Sequence, residues 1–169
     1  MVLVFMAEIT AIVIPADIGL PLRQVQLDTA DLSAYQDLVG GYIEAIELFR
    51  PKASMYINDH GKIDGLPVNH RATALAAVHN SDFRGRDFVA GDAFVVGPLT
   101  ATGRDTTVPA RYVNLWFEAT SFRVQKKVGD SRRWVTKNYR YSDPHVAYVA
   151  AVRLARREPE VTEVRVVAR

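Results

Sequence analysis

Four cations and three aromatic rings share the ten residues "RRWVTKNYRY" at 132–141. Cationic side chains beside aromatics suit nucleic acid, because one group meets the phosphates while the other stacks on bases. The candidates are Arg132, Arg133, Trp134, Lys137 and Arg140, joined by Arg123 and Lys126 from the preceding "SFRVQKK". A plainer alternative stays open. The same pattern describes a solvated sheet face whose rings form half-buried cross-strand pairs.

A second constellation sits in "DGLPVNHRATALAA" at 64–77. Asn69 has the chemistry of an N-cap, its side-chain oxygen accepting a helix N–H. Equally, free N–H groups at that helix start, with His70 and Arg71, could converge on a phosphate or carboxylate. A cap and a ligand contact can coexist, so both readings stand.

Other chemistry is sparse. There is no GxSxG, HExxH, Walker loop or GxGxxG. His60, His70, His79 and His145 show no paired ligand spacing, and "NDHGKIDG" lacks the calcium-loop acids. Glu44 and Glu47 lie three apart in a strand and so face opposite ways. The absence of cysteine excludes disulfides, thiolate metal sites and cysteine nucleophiles. The expectation is no enzyme, no metal and no cofactor.

The elements must position these residues. Apolar content of 49% with 24% charged residues is ordinary for a globular chain. The net charge of +2 conceals a split: residues 1–108 carry 8 Lys and Arg against 13 Asp and Glu, a net −5. Residues 109–169 carry 13 against 6, a net +7. The opening run "MVLVFMAEITAIVIP" lacks a basic leader and breaks at Pro15, short of the ~20 apolar residues of a span. It reads as a buried strand, with Met6 an alternative start and residues 1–5 an extension.

Periodicity predicts strands over 9–15, 22–28, 42–48 and 53–59, and an interrupted strand over 87–98. Between them lie a helix capped by Asp28 and stopped by Gly40–Gly41, and a second helix over 70–79. Residues 99–110, "LTATGRDTTVPA", have no apolar period and read as a linker. Beyond it, 111–127 reads as a long strand, "VGDS" as a hairpin turn, and 132–141 as the returning strand. Asp143 then caps a helix with Pro144 at N1, and Ala147, Ala150, Ala151 and Leu154 form its packing stripe. A final strand covers "EVTEVRVVAR". The fold class is α+β in two small modules: a mixed strand and helix module at 1–98, and a basic ββαβ module at 111–169. The second carries one helix on a three-stranded antiparallel sheet, leaving its other face open.

Across residues 7–98, "VGGYIE", "GLPVNHRAT" and "GDAFVVGP" taken together resemble a family of uncharacterised domains from phages and mobile elements. The second module resembles a small ββαβ unit of actinobacterial-phage type. The resemblance implies a phage or mobile-element accessory protein in the host bacterial cytoplasm, and no catalytic residues. Nucleic acid is the leading partner. A nucleotide or similar anion near Asn69, His70 and Arg71, or a host protein, are the alternatives; a homo-oligomer stays open, and no membrane partner is expected.

Overall fold

The computed structural model describes residues 7–169, so the start of the opening apolar run, with Met6 and the extension before it, lies outside the described residues. The chain divides into two compact units. One takes the chain up to Ala72 together with Phe88–Pro109, the other Thr73–Asp87 with Ala110–Arg169.

The first unit is a five-stranded antiparallel sheet. Its strands are β1 (Glu8–Ile14), β2 (Arg23–Asp28), β3 (Ile43–Leu48), β4 (Ala53–Asn58) and β5 (Ala93–Val96), in the order β2-β1-β5-β4-β3. β5 is central, and its unbroken run AFVV is buried at every position. A strand covered on both faces has no use for polar alternation, hence the continuous apolar run. Helix α1 (Leu32–Val39) lays Tyr35 and Val39 on Ala11, Val13, Phe94 and Val96. Its cap is Asp31, whose side chain accepts from the Ala34 amide, rather than Asp28. Asp28 is the last residue of β2, paired to Glu8, and is therefore still in the strand. Gly40 closes the helix in the left-handed conformation at φ 75°, as its position predicts.

Helix α2 (His70–His79) matches the expected span, and the division between units falls within it. Every residue from Ala74 to His79 is buried. By the division into units, residues 73–87 fall in the second and not in the expected first module. Residues 99–110 also differ from the expected linker. Gly97 donates to the Thr106 carbonyl, Val108 to that of Thr10, and the Thr10 amide to the Thr107 hydroxyl. Tyr35 and Tyr56 both donate 3.0 Å hydrogen bonds to Asp105. The Thr-rich composition that reads as a flexible tether supplies the hydroxyls and carbonyls that fasten the segment to the first unit.

The longer segment of the second unit begins with α3 (Ala110–Val113), continued by a π-helical turn at Asn114–Glu118. This corrects the long strand expected at 111–127. Tyr112 and Leu115, three apart, are both buried, which is helical rather than alternating spacing. The ββαβ part follows as expected: β6 (Phe122–Val128), β7 (Val135–Thr136), α4 (Pro144–Arg157) and β8 (Val161–Ala168), with the antiparallel order β7-β6-β8. β7 is two residues rather than ten. After Thr136 the Lys137 amide still donates to the Val124 carbonyl of β6, and the chain meets the sheet again where Tyr141 and Phe122 exchange 2.9 Å backbone hydrogen bonds. Asp143 caps α4 through the Val146 amide and Pro144 occupies the first turn. Tyr148 joins Ala147, Ala151 and Leu154 in the buried stripe, whereas Ala150 is only half-buried.

Candidate nucleic-acid interface

Alternation along β6 decides where the second unit's cations go. Phe122, Val124 and Lys126 share a face with Val164, Val166 and Val135 by register. Phe122, Val124, Val164 and Val166 are buried there. Lys126 thus points to the α4 side, where its ammonium pairs with Glu158 just past the helix end. That hydrogen bond, more than any other influence, holds the Glu158 carboxyl below its ordinary range.

Arg123, Gln125 and Lys127 occupy the opposite face, beside Arg165 and Glu163. This face differs from the open surface expected. Gln125 is buried and bridges the strands, donating to the Thr136 hydroxyl at 2.9 Å and accepting from Arg165 Nε at 2.7 Å. Trp134 holds the Lys127 ammonium 4.6 Å and the Arg165 guanidinium 4.0 Å from its ring centroid. The indole is therefore already engaged by the protein's own cations, and a base stacking there would have to displace one. Arg132 and Arg133 stand exposed in the β6–β7 turn, and Arg140 is exposed in the loop after β7. The seven candidates therefore do not share one surface.

One of them does line a cavity. Lys137 borders a groove of about 860 Å³ between α4 and the segment 135–141. Its α4 wall carries Val146, Val149, Ala150, Arg153 and Arg157, spaced three or four apart so that they fall on one side of the helix. The other wall brings Val135, Asn138, Tyr139 and Tyr141. Tyr139 is 67% exposed, its ring 4.6 Å from that of Tyr141. Among the described residues no Asp or Glu lines this groove. Arg153 and Arg157, late in α4, are groove residues. The i, i+3, i+4, i+7 series from Val146 to Arg153 is the signal that marks them.

The start of α2 lies in the first unit. Asn69 is fully buried; its oxygen accepts from the Ala72 amide while its nitrogen donates to the Ile14 and Gly91 carbonyls. Arg71 is buried too, and its guanidinium donates to the Pro15 and Asp17 carbonyls at 2.7 and 3.0 Å. Asp92 accepts from the Ala16 amide close by. Asn69 and Arg71 thus hold the turn after β1, while His70 alone of the three is exposed. Among the described residues there is no group of three or more metal-ligating side chains, and no helix is long and apolar enough to cross a membrane.

A family model described as a domain of unknown function, DUF3846, matches residues 9–121. The chain belongs to the DUF3846 family. An uncharacterised domain family is consistent with the resemblance drawn from the sequence, and the match extends beyond residue 98. The DUF3846 match takes in every element from β1 to the π-helical turn and ends one residue before β6. The groove and the three strands of the small sheet are built from residues after it. No curated protein and no solved structure matches this DUF3846 chain.

Proposed function

We propose that this DUF3846 protein binds nucleic acid, with little sequence preference, through the groove beside α4. The carrying observation is the lining: Lys137, Arg153 and Arg157 with Tyr139 and Tyr141, and, among the described residues, no acidic side chain. The cations contact phosphates, and the exposed Tyr139 ring is a platform for an unpaired base. Neither contact reads base edges, so discrimination among sequences is low. The motif set at 7–98 supports a place among phage or mobile-element accessory proteins acting in the host bacterial cytoplasm.

Titration of labelled single- and double-stranded DNA and RNA at low salt tests this. Binding should fall with salt at roughly −0.7 in log–log slope per neutralised phosphate on single strands. Lys137→Ala or Arg153→Ala should weaken binding to all sequences alike and flatten the slope by about one unit. Tyr139→Ala should harm single-strand binding more than duplex binding. An absence of binding at low salt to every polymer overturns the proposal.

The groove volume also favours a second reading, since small-molecule sites span roughly 300–1,000 Å³. A nucleotide held by the same cations would bind alone and compete with the polymer at one-to-one stoichiometry.

A further inference from the structure

The face of the small sheet turned away from α4 gathers cations with few counter-charges. Alternation places Arg123, Gln125 and Lys127 there with Arg165 of β8, and Ser121 and Arg169 flank them just before β6 and just after β8. The Arg169 amide donates to the Ser121 carbonyl, which brings those two residues side by side. Arg111, from α3, bears on Arg165 electrostatically, as does Arg169. Glu163 acts on Arg165 with the opposite sign, and it is also 3.5 Å from Lys127.

Arg123 Nε and Ser121 Oγ are buried here and lack a hydrogen-bond partner among the described residues. They belong to residues two apart, Ser121 just before β6 and Arg123 within it, so their side chains fall on the same side. Arg165 is anchored through Nε to Gln125 and through its plane to Trp134. Its terminal N–H groups remain available. Burial first, then the like charges of Arg111 and Arg169, lower the Arg165 pKa. Clustered like charges and an unsatisfied buried donor both destabilise a fold unless something else meets them.

We propose that this face binds a tetrahedral oxyanion of phosphate type, held by Arg123 and Arg165 with the Ser121 hydroxyl donating and Arg111 and Arg169 closing the charge. The site uses residues that the groove does not, and it stands or falls without the groove. A free phosphate and a phosphodiester within a nucleic-acid strand offer the same oxygens. Guanidinium forks match either.

The test uses the intact chain. Inorganic phosphate is titrated at millimolar concentration into constant sodium chloride, with tryptophan emission as the readout because Trp134 lies under Arg165. A saturable change is expected, with a rise of a few degrees in melting temperature at saturation. Arg123→Gln and Arg111→Gln should each reduce phosphate affinity at least tenfold. Arg111 is exposed, so its variant keeps the test valid should Arg123→Gln disturb the sheet. Lys137→Ala/Arg153→Ala, which alters only the groove, should leave the phosphate response intact and so separates the two sites. If phosphate alone gives no response, an oligonucleotide added to that groove variant provides the second arm. Binding lost on adding Arg111→Gln identifies a polymeric phosphodiester as the source and supports the site. No response in either arm overturns it, as does a phosphate response unchanged in both arginine variants.

Discussion

The two units treat their polar side chains in opposite ways. In the first, with a net charge of −5, Asn69, Arg71, Asp92 and Asp105 all bond to identified groups of that unit. These contacts tie down the turn after β1 and the segment before α3. In the second, 110–169 carry +7 and residues 73–87 add two arginines and two aspartates, leaving the balance unchanged. Two of its lysines pair with Glu158 and Glu163. Arg132, Arg133, Arg140, Arg153 and Arg157 stand exposed. A polar side chain satisfied by its own backbone is architecture. One held beside like charges is available to a ligand. The Asn69–His70–Arg71 stretch and the groove near Lys137 look similar as sequence, and they separate on this criterion.

The sharpest way to break the comparison is Asn69→Ala. Loss of the cap alone would cost about 1 kcal/mol. Two buried carbonyls losing their donor should raise the total to about 3 kcal/mol. Urea unfolding measures it, and a loss near the cap value alone would mean that water replaces the side-chain amide. Arg71→Ala follows, at about 2 kcal/mol, because two charge-assisted hydrogen bonds disappear. A neutral result there would return Arg71 to the list of ligand contacts.

Next comes Asp105→Asn, expected to cost about 1 kcal/mol at neutral pH. Its clearer signature is alkaline. Tyr35 and Tyr56 are raised well above the ordinary 10.0, first by burial and then by the Asp105 charge. Tyr112 and Tyr148 are raised chiefly by burial. A pKa raised on folding gives stability that is complete below 10.0 and is lost as pH rises through the folded value. Asp105→Asn should therefore let two tyrosines ionise at lower pH, still above 10.0, with the other two unmoved. Tyrosinate absorbance against pH reads this directly. The smallest effect belongs to Arg153→Ala, expected to change stability by less than about 0.5 kcal/mol while weakening nucleic-acid binding. A large stability loss would make Arg153 a structural residue and erase the contrast between the units.

Much of the fold was legible in the sequence because local signals were strong. Gly40, Asp143 and Pro144 act within one turn of where they stand, and "ITAIVI" and "AFVV" are too apolar to be anything but buried strands. The failures share one cause, namely that the deciding partner lies far along the chain. Asp28 looks like a cap until its pairing with Glu8 holds it in β2. "LTATGRDTTVPA" looks like a tether until Tyr35, Tyr56 and Thr10 bind it. Residues 111–118 look extended because aromatic and β-branched residues favour strands, yet Tyr112 and Leu115 are buried on one helical face.

The sequence by itself determined the α+β class, the charge split, the ββαβ order and the cap of the last helix, since composition and short-range spacing suffice for each. Only the tertiary structure decided which cations share a surface. Strand register sends Lys126 toward α4 and Arg123 away from it, and the early departure of the chain from β7 opens the groove that joins Lys137 to Arg153 and Arg157. Side-chain direction in a sheet has a period of two, so one residue of register moves a charge from one face to the other. Composition is blind to that step, and pairing with distant strands sets it.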